Sequence, residues 1–250
     1  MTFKLYYTPT SCGAANFIVA AAGGTEFDSE LVDLATHKTA SGGDFYAVNP
    51  KGNVPTVVLE DGSILNENVG TLVYLADQNP DTGLSPKAGT SEYYEHMNII
   101  GFAATELHQG TIPLWHNMFD PNYPASMVSA AREGLKKKIK VYLVDGYLEG
   151  GKKKFVLGDN ISAVSHVVLL LLGVLKMLYC FSLSKFHIPF PSIHKFWFVL
   201  QADVYIHRIL SFAGYIGFEE AAEAAAEYMK NVEADPLFVK GAKALAAASS

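Results

Sequence analysis

Cysteine is scarce in this chain: Cys12 and Cys180 are the two in 250 residues. Two cysteines cannot make a disulfide scaffold, and they fit a reducing compartment. Positive charge is also short, with 19 Lys and Arg against 25 Asp and Glu, a net of −6. That leaves no broad basic field and argues against nucleic acid as a partner. The opening Met1-Thr2-Phe3-Lys4-Leu5-Tyr6 lacks an apolar run long enough for a secretory signal, so the expected location is the cytoplasm. Long apolar runs are absent except at one place, residues 164–183. What is present is apolar content: half of the residues, enough to bury a sizeable core over one large domain or two small ones.

The first 79 residues alternate strand and helix signals. Phe3–Tyr7 is apolar or aromatic at four of five positions and reads as a buried strand. Thr8-Pro9-Thr10-Ser11 is a turn able to start a helix, and Cys12–Ala22 is Ala-rich and closed by Gly23-Gly24. Phe27–Leu34 reads as a second strand, and a short or poorly formed helix is expected between Ser41 and Val48. Thr56–Leu59 and Ser63–Leu65 flank Glu60-Asp61-Gly62, a strong hairpin signal. Glu67–Asp77 carries Val69, Leu72, Val73 and Ala76 on one helical face. Asn79-Pro80-Asp81-Thr82-Gly83 breaks the pattern, and residues 80–90 read as a linker. From Ser91 onward helices dominate: Tyr93–Leu107, Pro124–Leu148, Tyr205–Ala213 and Ala221–Val232. The expected organisation is a β-α-β-α-β-β-α domain over residues 1–79 followed by an all-helical domain over residues 91–250.

The most informative stretch is Asn49-Pro50-Lys51-Gly52-Asn53-Val54-Pro55-Thr56, a loop delivering a strand through an X-Pro bond. Downstream, Asn66-Glu67-Asn68-Val69-Gly70 opens a helix, whose free N–H groups favour an anion. Together they read as a site for a small anionic peptide held by its backbone.

These residues, with Lys4-Leu5-Tyr6-Tyr7, Ser11-Cys12, Asp44-Phe45, Tyr74-Leu75-Ala76-Asp77 and Ala104-Thr105-Glu106-Leu107-His108, resemble the cytosolic glutathione transferases, most closely the bacterial beta-type group. The resemblance covers nearly the whole chain except residues 164–201. It implies a thioredoxin-like α/β N-terminal domain, an all-α C-terminal domain, usually a homodimer, and a role in detoxification. The implied reaction conjugates glutathione, as co-substrate, to a hydrophobic electrophile, with thiol transfer through Cys12 as a further activity. No metal is implied, and neither nucleic acid nor a membrane is an expected partner. The alternative is a non-catalytic glutathione-binding or structural relative.

The resemblance also assigns site residues. Pro55 would be a cis-proline turning the Val54 backbone toward glutathione, which pairs with it like an added strand. Asn53 lies in the same loop. Asn68 and Glu67 would receive the γ-glutamyl end, Glu67 holding its ammonium group. His37, or its neighbour Lys38, falls where relatives place a contact to the glycyl carboxylate. Cys12 and His108 are the catalytic candidates, both expected at the glutathione sulfur. Cys12 sits where a helix dipole favours a thiolate, although a buried apolar cysteine fits the residues too. Relatives often carry serine at position 13 and lysine at 109; this chain has Gly13 and Gln109. Of the neighbouring phenols Tyr6 and Tyr7, one at least is expected in the core. Trp115, Phe119 and Tyr123 are candidate walls for the electrophile.

Residues 164–201 fit none of this. They hold no Asp or Glu, three Lys, three His and five Phe. Three readings stand: a transmembrane helix, a buried hairpin or partner surface, and a translated retained intron. For the third, deleting the segment joins Ser162-Ala163 to Ala202-Asp203, recreating a capping-box-like Ser-x-x-Asp before Val204. It leaves 212 residues, with 16 basic against 25 acidic. Val164-Ser165 can be encoded by GTA AGT and Gln201 by CAG, the sequences of splice boundaries. Cys180, His166, His187 and His194 all fall inside the segment and are given no function.

Overall fold

A computed structural model describes residues 3–9, 11–153, 156, 230, 231 and 233–249. The segment 164–201, and with it Cys180 and the capping box, lies outside the described residues, as do the helix expected at Tyr205–Ala213 and nearly all of that at Ala221–Val232. Two compact units divide the described residues: the first holds those within 3–97 and 235–249, the second those within 98–156 together with 230, 231, 233 and 234.

The first unit is built on β1 (Lys4–Tyr7), whose Leu5 and Tyr7 are buried almost completely. It runs parallel to β2 (Asp28–Asp33), with Leu5 opposite Ser29, and antiparallel to β4 (Thr56–Val58), with Leu5 opposite Val57. β3 (Lys38–Thr39) and β5 (Ile64–Leu65) complete the sheet, in the order β3-β2-β1-β4-β5. A parallel pair cannot be closed by a hairpin, so β1 and β2 are joined through α1 (Gly13–Gly23). α1 ends at Gly24 in the left-handed region, φ +75°, whose N–H bonds Ala20 and Ala21 carbonyls.

α1 is buried on nearly all sides because two helices pack on it: α2 (Asn68–Asp77) and the C-terminal α6 (Pro236–Ala248). α6 starts at Asp235, whose carboxylate accepts from the N–H groups of Leu237 and Phe238. Gly241 allows the helices to touch: a Cβ there would sit 2.6 Å from the Ile18 carbonyl oxygen. Lys240 Nζ donates to the Ala22 carbonyl at 3.1 Å, a cation at the negative end of α1. Tyr7 Oη donates to the Ala248 carbonyl at 3.4 Å.

α3 (Ser91–Phe102) leads into the second unit, where a π-helical turn spans Ala103–His108. α4 (Ile112–Phe119) and α5 (Ala125–Lys137) follow, and a π-helical stretch, Lys138–Tyr147, extends α5. The Phe102 ring meets those of Tyr142 and Tyr147 at 5.9 and 5.4 Å. Among the described residues no helix is long and apolar enough to cross a membrane.

The expected β-α-β-α-β-β-α order is present with two differences. The helix anticipated between Ser41 and Val48 is a single 3-10 turn, Phe45–Ala47, started by Asp44, whose carboxylate accepts from Tyr46 N–H. Gly42 and Gly43 precede it and favour a return turn over a helix, with Thr39 N–H bonded to the Gly43 carbonyl. That turn creates β3, two residues long and too short to announce itself in the sequence. α4 and α6 were not anticipated.

Candidate functional site

The Asn49–Pro55 loop is organised by one buried side chain. Asn49 is fully buried; its Nδ2 lies 2.9 Å from the Asn53 carbonyl, 2.8 Å from Asn53 Oδ1 and 2.9 Å from Thr56 Oγ1. Its Oδ1 accepts from Lys51 N–H and Asn66 Nδ2. Asn53 in turn donates to the Asn66 carbonyl at 2.8 Å. This network binds the loop to the segment entering α2 and holds Val54, whose peptide bond to Pro55 is cis. Val54 itself packs with Tyr6, Val32 and Phe45.

Gly52 is required twice over. Its φ is +66°, and a Cβ would fall 2.6 Å from Tyr46 Cε1 and 2.9 Å from His37 Nδ1. The loop therefore closes directly on the His37 ring, which lies against Tyr46 with centroids 4.4 Å apart. His37 occupies the left-handed region, φ 51°, and its buried Nδ1 has no hydrogen-bond partner among the described residues. Its neighbour Lys38 is exposed and lies in β3.

Cys12 stands at the N-cap of α1, where the turn is set by Ser11: Ser11 Oγ donates to the Thr8 carbonyl and accepts from Gly13 N–H at 3.1 Å. Position 13 suits glycine, because a Cβ would meet Ser11 Oγ at 3.2 Å and Tyr7 Cβ at 3.3 Å. The Cys12 thiol donates to the Val54 carbonyl at 3.6 Å. The structure thus brings Cys12 to Val54, across 42 positions of sequence. It does not favour the thiolate that the helix start led one to expect. Burial pushes the thiol up to about 11, outweighing the N–H groups of Cys12 and Gly13 that favour the anion. Tyr6 and Tyr7 are both core residues, and burial raises the Tyr7 phenol above its usual range.

At the other end of the loop, Glu67 is the N-cap residue of α2 and Asn68 its first helical residue. The first intrahelical bond comes from Thr71 N–H, and no side chain caps the helix, so the N–H groups of Asn68, Val69 and Gly70 precede the ladder. Lys51 Nζ lies 2.8 Å from Glu67 Oε1. Both groups are more than half exposed, and such pairs contribute about 0–1 kcal/mol. Asn68 Oδ1 accepts from Asn16 Nδ2 at 2.7 Å. Asn16 has no signal of its own in the sequence, and Asn49, Lys51 and Asn66 are legible there only as members of their motifs, without individual roles. A linear pattern cannot assign polar residues at buried or loop positions to partners.

His108 ends the π-helical turn of the second unit, half-buried, and burial lowers its pKa below the usual imidazole value. The turn is held within that unit by Lys138, which pairs with Glu106 at 2.8 Å. Cys12 and His108 therefore belong to different units. Of the candidate electrophile walls, Tyr123 stacks on His116 at 5.4 Å, and the side chains of Trp115 and Phe119 lie outside the described set. Among the described residues no cluster of three His, Cys, Asp or Glu could hold a metal ion.

No family model matches the chain. Individual relatives do. Glutathione S-transferase GstA of Escherichia coli O157:H7 is 37% identical over 137 residues, 55% of this chain and 66% of that protein. Glutathione S-transferase GST-4.5 of Xanthomonas campestris pv. campestris is 30% identical over 159 residues, 63% of this chain and 74% of its own. Among solved structures, a glutathione transferase from Methylococcus capsulatus superposes with a TM-score of 0.73 at 31% identity, covering 97% of this chain and 98% of that one. A sphingomonad glutathione S-transferase complexed with glutathione gives 0.69 at 27% identity, over 97% and 98%. A sheet ordered β3-β2-β1-β4-β5, a cis-proline loop facing a helix-capping cysteine and relatives of this similarity lead to one assignment: the chain belongs to the glutathione S-transferase family, with a thioredoxin-like N-terminal domain and a helical C-terminal domain.

Proposed function

We propose that this transferase binds glutathione along the Val54 edge and conjugates its sulfur to a hydrophobic electrophile beside Cys12. The observation that carries the proposal is the 3.6 Å contact between the Cys12 thiol and the carbonyl of Val54, next to the cis Pro55. An extended peptide pairing with Val54 would place its central residue next to Cys12. Its γ-glutamyl end, with its α-carboxylate and ammonium group, would reach the N-terminus of α2, where Asn68 and Glu67 stand, and its glycyl carboxylate would approach His37. Asn53 holds the loop in register. The bound glutathione of the sphingomonad relative supports the choice of peptide.

In the conjugation step the glutathione thiolate forms a carbon–sulfur bond to the electrophile, and the leaving group departs with its electron pair. The thiol proton goes to solvent. Cys12, kept protonated by burial, serves as an S–H donor to that thiolate. Thiol transfer is the second chemistry. The small fraction of Cys12 that loses its proton to solvent attacks the glutathionyl sulfur of a mixed disulfide as a thiolate and releases the other thiolate; a second glutathione thiolate then forms oxidised glutathione and restores Cys12. His108 keeps a catalytic role in this reading. The homodimer, the cytoplasmic location and a detoxifying role belong to it too, as does the view that residues 164–201 derive from a retained intron.

The test is retention on immobilised glutathione, followed by conjugation of an aryl halide and reduction of a mixed disulfide, for wild type, Cys12→Ala and His108→Ala. Cys12→Ala abolishes disulfide reduction and weakens conjugation. Retention without either activity in the wild type would refute the proposal, and unchanged disulfide reduction in Cys12→Ala would refute the role given to that residue.

A further inference from the structure

Asn16 is fully buried in α1, yet it is polar and its Oδ1 has no hydrogen-bond partner among the described residues. Its Nδ2 does have partners: the Cys12 carbonyl at 3.3 Å and Asn68 Oδ1 at 2.7 Å. A buried amide with an unpartnered oxygen is unfavourable, so its persistence calls for a reason.

The reason lies in which atoms can donate. A backbone carbonyl can only accept, so the Cys12 carbonyl requires the nitrogen of Asn16 to face it. The same nitrogen then faces Asn68, which must present its oxygen. With Oδ1 of Asn68 committed, its Nδ2 is the atom left for a ligand, at the first position of α2, where the backbone N–H groups are uncapped. The orientation of one amide is thereby passed to the next. A free asparagine at position 68 could turn either oxygen or nitrogen outward, and an outward oxygen would repel a carboxylate.

We propose that Asn16 is a positioning residue, which fixes Asn68 as a donor to the α-carboxylate of the γ-glutamyl end of glutathione and ties that end to the Cys12 turn. The inference rests on the proposed glutathione site and adds to it the means by which the site distinguishes a carboxylate from a neutral group. Asn16 touches no substrate; it acts through Asn68.

The test is steady-state kinetics of aryl-halide conjugation by the full chain, for wild type, Asn16→Ala, Asn68→Ala and the double variant, with glutathione and with an analogue lacking the α-carboxylate. Asn16→Ala is expected to raise the glutathione KM roughly three- to tenfold with kcat nearly unchanged, the effect of weakening the Asn68 hydrogen bond by freeing its amide rather than removing it. The double variant is expected to be no worse than Asn68→Ala, and the analogue is expected to show no dependence on Asn16. A merely structural asparagine would give effects that multiply and that persist with the analogue; either result overturns the proposal. Asn16→Ser, which keeps a small polar group, replaces Asn16→Ala if the latter fails to fold, with the same expected pattern. If Asn68→Ala leaves KM unchanged, the assignment of Asn68 as a glutathione contact falls, and this inference with it. If Asn68→Ala raises KM while Asn16→Ala does not, only the inference falls.

Discussion

Cys12 sits at the positive end of a helix, a position that ordinarily lowers a thiol pKa, yet the structure holds the thiol up to about 11 against an ordinary value of 9.0. Two opposing effects meet there. The N–H groups of Cys12 and Gly13 stabilise the anion, but the Gly13 N–H is also engaged by Ser11 Oγ at 3.1 Å. Burial opposes the anion, and the S–H bond to the Val54 carbonyl is available to the thiol alone. A shift of this size corresponds to about 3 kcal/mol, and it lowers the thiolate fraction at pH 7 from about one in a hundred to about one in ten thousand. The assay is iodoacetamide alkylation of Cys12 between pH 6 and 10, resolved by peptide mass spectrometry. The rate constant is expected to climb about tenfold per pH unit across the whole range without levelling. Steric shielding alone would slow the reaction at every pH and leave the levelling at the ordinary thiol value near 9; a slope that continues beyond it is the signature of the raised pKa. Levelling below pH 9 would refute the reasoning and show that the helix terminus outweighs burial. The same shift has a linked effect on stability. A raised thiol pKa adds stability that is fully present below pH 9 and is lost as pH rises through 11, so Cys12→Ala should flatten the alkaline limb.

Three further outcomes follow from other parts of the molecule. His96 is fully buried with neither ring nitrogen partnered among the described residues, and burial lowers its pKa to about 4. The unfolded chain therefore takes up a proton near pH 6.5 that the folded chain refuses, and stability should fall by up to about 3 kcal/mol as pH drops from 6.5 to 4. His96→Leu should remove that slope in denaturant titrations; an unchanged slope would exclude His96 as its source. Gly241→Ala should destabilise by about 1–3 kcal/mol, read as a lower melting temperature, because its methyl group would press on the Ile18 carbonyl between α6 and α1. A chain lacking residues 164–201 should give a higher soluble yield and melting temperature than the 250-residue form, since the apolar run invites aggregation. Equal yield and melting temperature would count against the view that the segment is foreign. So would genomic codons at Val164-Ser165 and Gln201 that cannot form splice boundaries.

Much of the first unit was legible in the sequence because its signals are local. Asp61-Gly62 specifies a hairpin, Gly23-Gly24 stops a helix, and Phe3–Tyr7 declares a central strand whatever its neighbours are. The loop around Val54-Pro55 could be located for the same reason, and its cis bond appeared where expected. β3 and the 3-10 turn at Phe45–Ala47 were hidden because two or three residues hold too little periodicity. The sequence does not show where α6 docks, because its packing depends on Gly241 meeting Ile18, a pairing far apart in sequence.

The sequence by itself determined the kind of protein: the order of strands and helices, the proline loop, and a cysteine at a helix start. Each of these follows from side chains within a few positions of one another. Tertiary structure alone decided the electrostatics of that cysteine and the polar wiring around it. A thiol pKa depends on what excludes water and which carbonyl lies opposite, here Val54, and an asparagine's role depends on whether an acceptor-only group faces it, here the Cys12 carbonyl. Neither can be read from a helix start alone, because desolvation and hydrogen-bond partners are properties of the packed chain.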